Sequence, residues 1–357
     1  MRNNNERLFL DVHVIQTLPP SNINRDDTGS PKTAQYGGVR RARVSSQSWK
    51  RAMRLYFNEH GMQGNVGVRT LEIVRYVASK ITEIDSSISE EIAMEKAKSV
   101  IETAKIGLKD DRAKALFFLG DIQAKKLAQA AIDGIQDKSE IEKIIQDNPS
   151  IDIALFGRMV ADNPLLNEDA SAQVAHAIST HGIQNEFDFF TAVDDLSPNS
   201  TSGAGMLGNV EFNSATLYRY ANVAVHKFME QLGDKDAVVN AVKLFVKSFA
   251  NSMPTGKANT FANQTLPQLV LVTIRKDRPI NLVNAFETPV KGNDGYVKKS
   301  IENLIEEFKK TGKFVDEPAA SMYVSAEDVD GLKAIGEERD SLNILLNDIT
   351  EKLSVVI

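Results

Sequence analysis

The chain has 357 residues, no cysteine and a formal net charge of −6, with 42% hydrophobic and 25% charged residues. The missing thiols exclude disulfides, thiolate metal sites and cysteine nucleophiles. No run of about eighteen apolar residues and no charged-then-apolar start is present, so the sequence offers neither a membrane span nor a signal peptide and reads as a cytoplasmic globular protein.

Net charge conceals its distribution. Between Thr28 and Asn58 lie Lys32, Arg40, Arg41, Arg43, Lys50, Arg51 and Arg54, with no Asp or Glu. The segment carries +7 and leaves −13 on the remainder. A solvated charge run normally mixes both signs, so this one reads as a surface for phosphates.

In chain order, alternation from Leu8 to Leu18 predicts a strand, ended by Pro19 and Pro20. A loop carrying Arg25, Asp26 and Asp27 runs to a Gly37–Gly38 turn, and VRRARV (39–44) predicts a short basic strand. Helical periodicity begins at Ser45 or Ser46, either of which can cap the first turn. Trp49, Ala52, Met53, Tyr56 and Phe57 share one face of that helix, while Lys50, Arg51 and Arg54 share the other. The helix is thus anchored on one side and cationic on the other, and its serine-rich start offers N–H groups and hydroxyls to a phosphate.

From about Gly67 to Asp147 the composition shifts to Ala, Ile, Lys, Glu and Asp, which predicts an inserted helical subdomain. The apolar DIALFGRM (152–159) leads back, and ASAQVAHAIST (170–180) reads as helix. A strand over 209–223, a helix over 235–252, a strand over 268–276 and a helical, acidic tail from Ser300 follow. Strands and helices alternating around a large insertion predict an α+β fold with a ferredoxin-like core.

Gly203, Gly205 and Gly208 have the G-x-G-x-x-G spacing of a dinucleotide-binding turn, the alternative of a dinucleotide-dependent oxidoreductase. That turn must follow a strand and open a helix, whereas here a polar run precedes it and a strand pattern follows. The Gly-Lys pairs at Lys257 and Lys313 lack both the upstream glycine and the following Ser/Thr of a nucleoside-triphosphate loop. His176 and His181 are five apart and diverge on a helix, so no metal and no cofactor is expected. The pair Asp26–Asp27 beside the basic segment is the one candidate for metal-assisted cleavage of a bound strand. Arg158–Met159 and Phe187 to Phe190 lie at segment boundaries, where a thioether or aromatic ring can wedge between or stack on bases; core packing is the equal alternative for the phenylalanines.

NRDD (24–27), YGGVRRARVSSQSWKRAMR (36–54), DIALFGRM (152–159), FDFFTAVDDL (187–196) and LGNVEFNSATLYRYANV (207–223) occur in this order. With these motifs the chain resembles the CasC family, the backbone subunit of type I-E CRISPR Cascade complexes; the acidic tail matches least. The resemblance implies a palm with a modified RNA-recognition, ferredoxin-like fold (1–60 and 182–300), helical fingers (61–181), a thumb loop (191–208) and a C-terminal helical segment packing on the palm (301–357). It implies copies polymerising along guide RNA, kinking it at intervals, in company with other Cascade subunits, with target DNA bound through the guide. Carried onto this sequence, Arg25, Lys32, Arg41, Ser45, Ser46, Gln47, Lys50, Arg51 and Arg54 become candidate RNA contacts. Arg158, Met159, Phe189, Phe190 and Met206 would flank kinked nucleotides, and Lys125, Lys126, Lys138 or Lys143 would approach DNA. It also implies no catalysis, although related type III backbone subunits cut RNA with a loop aspartate, a role for which Asp26 or Asp27 is placed here.

Overall fold

The long strand at the start of the chain is buried on both faces, and the rest of the fold is arranged around it. This computed structural model describes residues 7–61, 66–192 and 207–357. Strands β1 (Phe9–Ser21), β2 (Thr33–Tyr36) and β3 (Val39–Val44) precede helix α1 (Ser46–His60). The next stretch holds β4 (Val68–Thr70), α2 (Ile73–Ile84), α3 (Glu90–Thr103), β5 (Leu108–Lys109), β6 (Arg112–Ala113) and β7 (Phe117–Leu119). It continues with α4 (Asp121–Ile132), α5 (Lys138–Gln146) and α6 (Ile151–Phe156). After these come β8 (Ala172–Val174), β9 (Ala177–Ser179), β10 (Glu186–Thr191), β11 (Leu207–Ala224), α7 (Val225–Leu232), α8 (Lys235–Asn251), α9 (Ala258–Phe261) and β12 (Leu269–Arg275). The chain closes with α10 (Val297–Thr311), β13 (Ala320–Ser325), β14 (Glu337–Glu338) and α11 (Leu342–Val356).

The result is a mixed α+β fold on one large, mostly antiparallel sheet in the order β14-β13-β12-β1-β11-β9-β3-β2. Among the described strands of that sheet, only β13 and β14 run parallel. β11 spans 18 residues. Its last two thirds pair with β1, β8 and β9, while its first third, Leu207 to Phe212, pairs with β10.

The sheet is covered on both faces, which explains why β1 is buried nearly throughout, its polar Asp11, His13 and Gln16 included. Leu10, Val12 and Val14 enter a core with Trp49, Met53 and Phe57 of α1, Phe245 of α8, and Leu345, Leu346, Ile349 and Leu353 of α11. These three helices thus cover one face. On the opposite face Ile15, Tyr218, Leu269 and Leu271 meet Phe286 and the α10 residues Ile301, Leu304 and Ile305. A separate core gathers α2 to α5, with Val74, Val77, Ile81, Ile101, Leu127 and Ile141 at its centre.

Three sequence expectations change. The segment 170–180 is not helical: its alanines favour a helix, but β8 and β9 are held by ladders to β11 and β3. Nor do Pro19 and Pro20 end the first strand, since β1 runs through them to Ser21. The tail is not wholly helical either, because β13 pairs along β12 from Ala320 to Ser325.

Candidate nucleic-acid interface

Ser45 begins the site. Extended backbone at this residue lets its Oγ accept the Ser48 N–H, so Ser45 is the N-cap of α1, and no acid occupies the first turn. The Ser45 N–H is donated to Asn24 Oδ1 at 2.8 Å, and the Lys32 N–H to the Asn24 carbonyl at 2.8 Å. Asn24 thereby docks the 24–32 loop against the helix start and brings Arg25 and Lys32 beside it. Trp49, Ala52, Met53 and Phe57 are buried, leaving Gln47 and Arg51 exposed. Lys50 is half-buried, its Nζ 5.6 Å from the Phe156 ring centroid, and burial lowers its pKa.

Gln47, Lys50, Arg51, Arg69 and Met159 line one groove of about 820 Å³ between α1 and the helical insertion. Met159 is 86% exposed because its neighbour is anchored. The Arg158 guanidinium is buried and donates to the carbonyls of Leu166 (2.9 Å), Phe118 (3.2 Å) and Ile145 (3.1 Å). Gly157, at φ 79°, makes the turn that presents the pair, in a conformation L side chains rarely adopt. A smaller cavity of about 320 Å³ lies between Arg25, Ser48, Arg51 and the 253–256 segment.

β10 and the first third of β11 form a two-stranded ribbon on which Phe187, Phe189 and Phe190 are exposed. Gly208 lies opposite Phe190, and a Cβ there would come within 2.5 Å of the Phe190 ring. The last glycine of the G-x-G-x-x-G spacing thus makes room for a ring within an antiparallel strand and opens no helix. Met206 and most of the 191–208 loop lie outside the described residues.

Two candidate contacts are corrected. Arg41 is fully buried, donating to the carbonyls of Tyr36 (3.0 Å), Ser179 (3.1 Å) and Phe286 (2.7 Å), so its guanidinium is committed to the fold. Arg158 is committed in the same way. Arg54 is partly so: its Nε lies 2.9 Å from Oδ2 of the buried Asp152, and its Nη2 donates to the Gly67 carbonyl. Asp26 Oδ1 accepts from the Thr28 N–H, the Thr28 hydroxyl and the Ser30 N–H, which holds its carboxyl below the usual range and makes it a turn former. No cluster of metal-ligating side chains occurs among the described residues, and none of their helices is long and apolar enough to cross a membrane. Sequence reasoning missed Asn24, Arg69 and His176, which reach the site only through loop docking and strand pairing.

The family described as CT1975-like protein matches residues 10–348. One solved chain, from a structure titled "CRISPR RNA-guided surveillance complex, pre-nicking", is 34% identical, with a TM-score of 0.86 over 97% of this chain and 100% of that one. Another, from a "CRISPR RNA-guided surveillance complex", is 31% identical, with a TM-score of 0.76 over 96% of this chain and 99% of that one. No curated protein matches the sequence. With a match over nearly its whole length, the chain belongs to the CT1975-like protein family.

Proposed function

We propose that this chain is a type I-E Cascade backbone subunit that polymerises along guide RNA in the cytoplasm, with the main sheet as an RNA-recognition-like palm, the α2–α5 unit as fingers and the β10–β11 ribbon as the base of a thumb. The observation that carries the reading is the groove whose lining combines Lys50, Arg51 and Arg69 with the exposed thioether of Met159, beside Glu168 and Asp169. Cations hold phosphates while an apolar tip wedges between bases, a combination that suits a kinked single strand. The exposed Phe189 and Phe190 would flank the strand from a neighbouring copy. Base pairing with target DNA would then read sequence, and the protein would hold shape and backbone. No catalytic role is assigned to this chain; the Asp26 carboxylate is engaged in its own turn.

The test is light scattering with ultraviolet absorbance on the chain purified from cells expressing a CRISPR guide, after nuclease treatment. A particle several protomers in mass with protected RNA of defined length is expected. A nucleic-acid-free monomer that persists when the other Cascade subunits are supplied would remove the reading.

A further inference from the structure

The pairing of β9 with β3 puts Val44 opposite Ala177, so the preceding residue, His176, lands beside the start of α1. There its Nδ1 accepts the Ser46 N–H at 2.8 Å. An acceptor nitrogen carries no proton, so the proton of the neutral ring sits on Nε2. No described residue accepts a hydrogen bond from Nε2, and the ring is exposed. Partial burial lowers its pKa, and the nearby charges of Arg43 and Lys32 lower it further, all of which favours the neutral ring. A neutral donor of fixed tautomer near two cations is suited to an anionic oxygen.

We propose that His176 is a further RNA contact, its Nε2–H donating to a phosphate oxygen of the strand that lies along α1. The proposal rests on the RNA-binding reading above. It differs from the lysine and arginine contacts in kind, because the imidazole adds direction without adding charge. Loss of a neutral donor releases no counterion, so it should weaken binding without altering the salt dependence.

Two substitutions separate the nitrogens. His176→Asn retains an acceptor near the Nδ1 position and loses the outward donor; His176→Gln reaches the Nε2 position with an amide donor and loses the acceptor for Ser46. Binding of the full chain to a labelled single-stranded RNA would be titrated at several salt concentrations, with thermal melting of the free protein in parallel. We expect His176→Asn to melt like the parent, to weaken binding about tenfold, the scale of one hydrogen bond to a charged group, and to leave the salt slope unchanged. His176→Gln should retain more of the affinity than His176→Asn. Parental affinity in His176→Asn with loss in His176→Gln would reduce His176 to a structural acceptor for Ser46 and overturn the proposal, as would a changed salt slope. The double variant Lys50→Ala, Arg51→Ala distinguishes the two levels: parental binding by that variant would overturn the RNA groove itself, whatever His176 does.

Discussion

The Arg219 guanidinium lies 3.6 Å from the centroid of the Trp49 indole, and both side chains are buried beneath α1. Arg219 also stacks 4.5 Å from the Phe249 ring and donates to Gln16 and to the Phe249 carbonyl. No carboxylate among the described residues pairs with it, and burial lowers its pKa to about 9. The aromatic faces take the place of a counterion. Trp49→Ala should therefore cost about 3–5 kcal/mol from lost packing. In a double-mutant cycle with Arg219→Ala, a coupling of about 1–2 kcal/mol is expected from urea midpoints. Additive effects would show that the stacking contributes nothing of its own.

Arg54 and Lys50 should behave differently although both are basic residues on α1. Asp152 is fully buried and also accepts from the Gly67 N–H and the Ser150 hydroxyl. Removing Arg54 leaves that carboxylate without its cation, so Arg54→Ala should lower stability by about 3 kcal/mol. Lys50→Ala should leave stability nearly unchanged and flatten the salt dependence of RNA binding by about one charge. The reverse assignment, in melting and salt titrations, would contradict this division.

Gly208→Val tests the ribbon. The added side chain must displace the Phe190 ring, which is exposed and contributes little to the core. Melting should change by less than about 0.5 kcal/mol equivalent, while affinity for single-stranded RNA falls several-fold, as for loss of one stacking contact. Unaltered affinity would remove Phe190 from the RNA surface.

Asp11 and His13 set opposing pH dependences. Asp11 accepts from the Tyr220 hydroxyl at 2.7 Å and the Ile280 N–H at 3.1 Å, yet burial raises its pKa to about 7. Its contribution to stability is present below the ordinary carboxylate value and is lost as pH rises through about 7. Burial lowers the pKa of His13 to about 3, with Arg275 adding to the effect, so its contribution is present above about 6.5 and is lost as pH falls. Asp11→Asn should therefore make stability climb more steeply between about pH 4 and 7, by up to about 1.4 kcal/mol per pH unit. His13→Phe should tilt the profile the other way. Urea midpoints across that range with unchanged slopes would show that neither group titrates as described.

Several features were legible in the residues because they depend on neighbours close in sequence. A serine cap at 45 or 46, an apolar stripe through Trp49, Ala52, Met53, Tyr56 and Phe57, and the opposite cationic face of α1 follow from helical period and capping chemistry; the fold makes Ser45 the cap and leaves Tyr56 partly exposed. The strands read over 8–18, 39–44, 209–223 and 268–276 from alternation and β-branched content correspond to β1, β3, β11 and β12, although β1 continues past its prolines to Ser21. The tertiary structure decided what depends on distant partners. An alanine-rich segment became β8 and β9 because ladders to β11 and β3 outweigh helix propensity. Arg41 and Arg158 left the candidate RNA surface because carbonyls far along the chain take up their donors. His176 joined that surface through strand register alone. Charge and period can be counted along a chain, but which cations remain free for a phosphate is set by the non-local hydrogen bonds that the folded backbone offers them.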